Sequence, residues 1–314
     1  MTGLIRQVTF DQVIEKIAVT TKKGFSLYDY TNGLILYHGP GGFEHIAILS
    51  DSNIVVLSGD GSDPKFSKTS VFLWNIETND IIKTIEHTSN VIGIFFTTDI
   101  LVVVQEQYIT FYSTSNFEQI FNLLNSTSSK DQISIVQTTN LSLITLPSAD
   151  GKSLNVCDIH DPAYILGTVN TPASEVTYAA FDRHAEFLAI VNDNGRSINL
   201  WSFEKKQFVS KYKRGTFAAK ITGLVFDNMS NYFLMTSSRG TIHVFQVQRI
   251  FDPKRAAIRS KYSLELPKGV DLTCCFDVAG YTINGINSSG QFNKLRVDLE
   301  KGMLDLVEEK PIDL

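Results

Sequence analysis

The chain has 314 residues, 43% of them hydrophobic and 11% aromatic, enough apolar material for a sizeable core and too much for a disordered segment. Its formal net charge of −5 removes any global electrostatic reason to bind nucleic acid or an anionic membrane, so an anion site has to be local. Only Cys157, Cys274 and Cys275 occur, and adjacent cysteines rarely bridge each other, which fits a reducing, cytoplasmic setting.

The N-terminal MTGLIRQVTFDQ has no basic segment leading into a long apolar stretch, so no signal peptide or presequence is expected. No apolar run approaches the ~18 residues that would span a bilayer. The chain is therefore expected not to be transmembrane and to meet a membrane, if at all, from outside.

From the start of the chain, IRQVTF, EKIAVTT, FSLYDY and GLILYH read as four successive strands. The same cadence recurs. NIVVLSG, ILVVVQ, FLAIVND, YFLMTSS and TINGINS are each followed by a turn, and then by a strand ending in an aromatic or apolar anchor. Those strands are VFLWNI, ITFYST, INLWSF, IHVFQV and FNKLRV; LNVCDI fills the same place in the middle of the chain. Long helical periodicity is absent. The anchors Tyr28, Trp74, Tyr112, Cys157, Trp201, Phe245 and Leu295 are about 38 to 50 residues apart, the period of a four-stranded propeller blade.

Seven anchors predict an all-β, seven-bladed β-propeller of WD-repeat type, with residues 1–314 as a single domain. The last repeat, from LTCCFD to MLDLVEE, supplies four strands of its own as the first does, so closure is expected without a shared-strand clasp. Two polar segments interrupt the pattern: SGDGSDPKFSKTS in blade two, from Asp60 to Ser70, and QRIFDPKRAAIRSKYS after the third strand of blade six.

No enzyme signature emerges. HGPGGF lacks the spacing of a phosphate-cradling loop and reads as a turn. HExxH, CxxC and GxSxG are absent, and His38, His45, His87, His160, His184 and His243 are scattered among the blades without ligand spacing. Neither a metal nor any other cofactor is expected.

Blades five and six carry KYKRGTFAAKITGLVF followed by YFLMTSSRGTIHVF, which resembles the PROPPIN family of seven-bladed propellers that bind polyphosphoinositides and includes the human WIPI proteins. The resemblance extends along essentially the whole chain, taking in FDQVIEKIAVTTKKGFSLYDY, the blade-two loop, LPKGVDLTCCFD and INSSGQFNKLRVD. The family signature, Phe-Arg-Arg-Gly, reads here Tyr212, Lys213, Arg214 and Gly215, and in the family its two basic residues serve two head-group pockets on opposite sides.

On the blade-six side the resemblance implies a phosphoinositide pocket of Arg214, Ser237, Ser238, Arg239, Thr241 and His243, with Gly240 between. An arginine fork can hold two phosphate oxygens, hydroxyls can donate to others, and a histidine adds a donor and, once protonated, a charge. On the blade-five side Pro172 stands where the family has a histidine, and Asn192, Asn194, Arg196 and Asn199 replace its polar pattern beside Lys213. That half reads as a degenerate second pocket.

The blade-six loop inserts into bilayers in the family. Here it mixes Arg249, Lys254, Arg255, Arg259 and Lys261 with Ile250, Phe251, Ala256, Ala257 and Ile258, the composition of an interfacial anchor. It is shorter than many family loops. The membrane contacts expected are Ile250, Phe251, Lys254, Arg255, Ile258 and Arg259.

Taken alone, KYKRG is ordinarily a solvated turn, His243 a histidine satisfied by a neighbour, and the loop a surface excursion. The resemblance implies a non-enzymatic adaptor reading phosphatidylinositol 3-phosphate or 3,5-bisphosphate on autophagic, endosomal or vacuolar/lysosomal membranes. An autophagy lipid-transfer protein is the candidate protein partner, with the blade-two loop or the adjacent rim as the expected contact, and no nucleic-acid partner is expected. The alternative is a protein-interaction scaffold that keeps the propeller and has lost lipid binding.

Overall fold

The computed structural model describes residues 5–11, 15–49, 52–127, 129–171, 175–192, 194–250, 257–267, 270–277, 279–280, 282–298 and 303–312. By internal packing the chain falls into two compact units. One is Met1–Lys130 with Ser288–Phe292 and Lys310–Leu314; the other is Asp131–Asn287 with Asn293–Glu309.

Among the described residues the strands form seven sheets, each built on four antiparallel strands in order along the chain, with a short fifth strand added to one of them. Blade one comprises Ile5–Asp11, Lys16–Thr21, Gly24–Asp29 and Ile35–Pro40; blade two Phe43–Ile48, Ile54–Gly59, Ser70–Asn75 and Asp80–Glu86; blade three Val91–Phe96, Ile100–Gln105, Tyr108–Ser113 and Gln119–Leu124. Blade four comprises Ile135–Gln137, Ser142–Pro147, Ser153–Asp158 and Asp161–Asn170; blade five Tyr178–Phe181, Phe187–Asn192, Ser197–Ser202 and Gln207–Lys213. Blade six comprises Ile221–Phe226, Tyr232–Ser237, Thr241–Gln246 and Tyr262–Glu265; blade seven Leu272–Phe276, Thr282–Asn287, Gln291–Asp298 and Met303–Pro311. Every anchor found by period falls in a third strand, and the first and last blades are each built from their own segment of chain.

Burial explains why the repeat was legible. Second strands such as Ile100–Gln105 and Phe187–Asn192 are buried on both faces, so they read as unbroken apolar runs. Fourth strands such as Asp80–Glu86 and Gln119–Leu124 lie at sheet edges and are largely exposed. Apolar clusters lie between successive sheets, joining blades one to two and two to three in the first unit, and four to five, five to six and six to seven in the second.

A second repeat sits in the turns. Blades five, six and seven end their first strands on Phe-Asp: Phe181-Asp182, Phe226-Asp227 and Phe276-Asp277. Each aspartate accepts the backbone N–H five residues on, from Phe187 at 2.7 Å, Tyr232 at 2.7 Å and Thr282 at 3.1 Å, an Asx-type clasp that fixes where the second strand begins.

Two departures concern the polar segments. In the blade-two loop Phe66 packs its ring 4.7 Å from Phe43 and 5.3 Å from Phe72, while Asp60 is buried and accepts from the Ser62 amide at 2.8 Å. The blade-six loop returns along blade five: Ile258–Arg259 pairs parallel to Gln207–Lys213, setting Ile258 beside Tyr212 and Arg259 beside Lys213. Blade five thereby gains a fifth strand.

The core between blades five and six is centred on Phe233, fully buried, with ring centroids 4.9 Å from Tyr212, 5.0 Å from Phe245 and 5.5 Å from Phe226. Phe233→Ala is expected to cost about 3–5 kcal/mol, read as a lowered urea midpoint, whereas Leu124→Ala on the exposed edge of blade three should leave the midpoint near that of the wild type.

Candidate functional site

The residues predicted on the blade-six side come from one hairpin and the linker before it. Ser237 ends the second strand of blade six and Thr241 begins the third, in register with it. Between them Ser238 and Arg239 are exposed. Gly240 takes φ +70°, and a Cβ there would lie 3.1 Å from the Val270 carbonyl oxygen, so glycine makes the turn. Alternation along a strand puts Thr241 and His243 on one face. The Ser237 and Thr241 hydroxyls are 2.9 Å apart, and Ser237 is only 1% exposed.

Arg214 reaches this hairpin from the blade-five side. Its amide donates to the Arg196 carbonyl at 2.9 Å. Its Nε donates to the Gly195 carbonyl at 2.7 Å, and one Nη donates to the Phe217 carbonyl. Two of the five guanidinium donors thus brace the turns on either side, and the residue is 8% exposed. Gly195 is needed for this packing: with φ +79°, a Cβ would lie 2.2 Å from the Ala219 carbonyl oxygen. Burial, helped by the charge of nearby Arg239, holds the Arg214 pKa below the usual guanidinium value.

Arg239 stacks its guanidinium 4.9 Å above the ring of Phe217, an aromatic 66% exposed. His243 faces Ser260, with Nδ1 3.2 Å from the hydroxyl. Burial, with Arg214 adding to it, lowers its pKa to about 4, so the ring is neutral at pH 7. Arg214 therefore lies within electrostatic range of both Arg239 and His243, on the hairpin that carries the Ser237–Thr241 pair. Phe217 and Ser260 were missed by sequence reasoning; Phe217 sits three residues past Arg214 in what read as a plain loop. Glu265, on the outer strand, pairs in register with Thr241.

The blade-five side is arranged differently. Asn199 Nδ2 donates to Asn192 Oδ1 at 3.0 Å, and Asn192 Nδ2 to the Glu175 carbonyl at 3.3 Å; both asparagines are buried. Asn194 occupies a left-handed turn at φ +53°, its carbonyl taking the Ala219 amide at 3.0 Å. Asn192, Asn194 and Asn199 are thus engaged in holding the local fold. Lys213 is exposed, in register with Ser197 on one side and Arg259 on the other. Pro172 lies outside the described residues.

Of the loop residues, Ile250 is 79% exposed, Ile258 packs against the core between blades five and six, and Arg259 is exposed beside Lys213. Phe251, Lys254, Arg255 and Ala256 lie outside the described residues.

No protein-family profile matches the chain. It is 21% identical over 247 residues to SVP1-like protein 2 of Schizosaccharomyces pombe, a match covering 77% of this chain and 68% of that protein. It is 21% identical over 273 residues to Autophagy-related protein 18 of Yarrowia lipolytica, covering 79% and 68%. Its fold matches KlAtg21, solved in complex with the coiled-coil of AgAtg16, with a TM-score of 0.84 at 14% identity over 99% of this chain and 100% of that one. The fold is a seven-bladed β-propeller. In sequence and fold the chain resembles the PROPPIN family.

In this chain the aromatic position of the Tyr212–Gly215 motif is Tyr212, fully buried. Its hydroxyl donates to the Gln246 carbonyl at 3.1 Å and accepts from the Gln248 amide at 2.9 Å. Tyrosine at this position ties blade five to the backbone at the end of the third strand of blade six.

Packing around their rings lowers the pKa of three histidines in this chain: His45 to about 3, His87 to about 4 and His243 to about 4. Each binds a proton more readily in the unfolded chain, so the stability they confer is complete above about pH 6.5 and lost as pH falls toward 4. Denaturant midpoints should decline across that window. His243→Gln should remove about one of the three contributions, leaving a shallower decline than the wild type; an unchanged slope would contradict the assignment.

Proposed function

We propose that this chain is a non-enzymatic adaptor that docks peripherally on membranes bearing phosphatidylinositol 3-phosphate or 3,5-bisphosphate, through the blade-six side of the signature. The observation that carries this is local: in a chain of net charge −5, Arg214 lies within electrostatic range of both Arg239 and His243, on a hairpin that carries two paired hydroxyls. A phosphomonoester supplies the anion such a group lacks. Arg239, free of the bracing that occupies Arg214, is the more mobile phosphate ligand; Thr241 offers a hydroxyl. When Ser260 donates to His243 Nδ1, the ring's Nε2 carries the hydrogen and serves as a donor.

One head-group contact is weak alone. The blade-six loop supplies a second contact with the same surface, and two weak contacts combine through effective concentration. Among the described residues no helix is long and apolar enough to cross a membrane, consistent with surface attachment. The relative named Autophagy-related protein 18 supports work on autophagic or endolysosomal membranes. The solved complex of KlAtg21 with a coiled-coil supports a protein partner for the membrane-bound form, with a lipid-transfer protein the other candidate.

The buried Asn192–Asn199 amide pair and the two backbone-bound donors of Arg214 favour a second reading, a propeller scaffold that binds protein and no lipid. Liposome flotation separates the two. With phosphatidylinositol 3-phosphate in the vesicles, Arg239→Ala and Arg214→Ala should each weaken recovery about tenfold or more, the cost of a lost charge-assisted contact, and Lys213→Ala about twofold or less. Urea melts run alongside distinguish a lost ligand contact from a lost brace at Arg214. Wild-type protein that floats no better with the phosphoinositide than without it would leave the scaffold reading standing; equal losses from Lys213→Ala and Arg214→Ala would restore a second pocket.

A further inference from the structure

The turn joining the first two strands of blade six exposes Met229, at 68% of its surface, and the root of the blade-six loop exposes Ile250, at 79%. Two large apolar side chains standing in water are ordinary if they are scattered. These are not, because Arg249 ties their segments together. Its guanidinium donates to the Met229 carbonyl at 3.4 Å and to the Ser230 carbonyl at 3.3 Å. It also donates to the Glu186 carboxylate at 2.7 Å and lies 5.1 Å over the Phe187 ring. Lys205 Nζ donates to the Arg249 carbonyl at 2.5 Å.

The neighbouring turn of blade five is fastened to the same place. Ser230 Oγ donates to Asp182 Oδ2 at 2.6 Å, Arg183 donates to Asn228 Oδ1 at 3.2 Å, and His184 Nε2 donates to the Asn228 carbonyl at 2.8 Å. Three turns from two blades are thereby cross-linked into one pad. Its exposed charges are Arg183, Lys205, Lys206 and Arg249 against Glu186 and Glu204, and Glu186 is taken by Arg249. The carboxylates of Asp182 and Asp227 are buried and bound to backbone amides.

Bare apolar side chains fixed on a cationic pad are what the boundary between anionic head groups and acyl chains accepts. We propose that Met229 and Ile250 are a pre-built membrane contact, with Met229 entering the interface from outside the blade-six loop and Arg249 as the positioning residue for both. This rests on the membrane-docking reading above and adds to it a second, rigid point of attachment.

The test uses vesicles of phosphatidylcholine and phosphatidylserine, with and without phosphatidylinositol 3-phosphate. The native cysteines are all buried, so Met229→Cys can be labelled selectively with an environment-sensitive fluorophore; Met303→Cys, at an exposed site in blade seven, is the control. The expected result is a blue shift and quenching by lipid-borne nitroxide at position 229 on phosphoinositide vesicles, and neither at 303. Met229→Asp and Ile250→Asp should each weaken vesicle binding about tenfold while leaving affinity for soluble inositol 1,3-bisphosphate unchanged. Wild-type binding to vesicles with a label at 229 that stays in water, and no loss from Met229→Asp, would overturn this inference and leave lipid docking intact. Failure of the wild type to bind any vesicle would overturn both, and a partner protein that protects Met229 in that case would identify the pad as a protein contact.

Discussion

Tyr212 lies where two sheets have to be held in a fixed relation. Its ring is packed edge-on to Phe233 and Phe245, and its hydroxyl is bonded to the backbone of blade six at both Gln246 and Gln248. The next two residues, Lys213 and Arg214, are aimed by that fixed point: one outward along the strand edge, the other inward beneath the hairpin of blade six. On its other side Gln248 leads directly into Arg249 and the exposed loop root. The linker carrying Arg214 and the segment carrying Arg249 and Ile250 therefore flank the same buried side chain, and a cavity there would loosen both at once.

The charge arrangement follows from the same packing. Burying a guanidinium is costly unless its donors are met, and Arg214 meets the cost with the carbonyls of Gly195 and Phe217. The bonds that make its burial tolerable also limit what it offers an incoming anion, which moves the more adaptable role to Arg239 on its aromatic shelf. On the blade-five side, the amides of Asn192 and Asn199 are bonded to one another and to the Glu175 carbonyl.

Much of this was legible from the chain. The seven anchors reported third strands because burial on both faces makes strands hydrophobic without alternation, and spacing then counts the sheets. The hairpin residues were singled out by resemblance; the fold pairs the hydroxyls of Ser237 and Thr241 and sets Arg214 within electrostatic range of Arg239 and His243. What the string of letters hid was direction. Nothing in KYKRGTF says that Arg214 turns onto carbonyls while Phe217 turns out to meet Arg239, since both depend on a glycine turn at Gly195 in a different strand pair. The polar letters around Phe66 hid an aromatic that folds inward, and Ile258 read as a loop residue because a two-residue parallel strand has no period to detect. The thrice-repeated Phe-Asp was a turn signal in plain view.

The parallel pairing of Ile258–Arg259 with the edge of blade five has a mechanical consequence. Ile258 is held at once by the edge of blade five and by the core that blade five shares with blade six. A pull on the segment that follows it is therefore resisted by two sheets together, and prising Ile258–Arg259 from the edge would also withdraw an apolar side chain from packing.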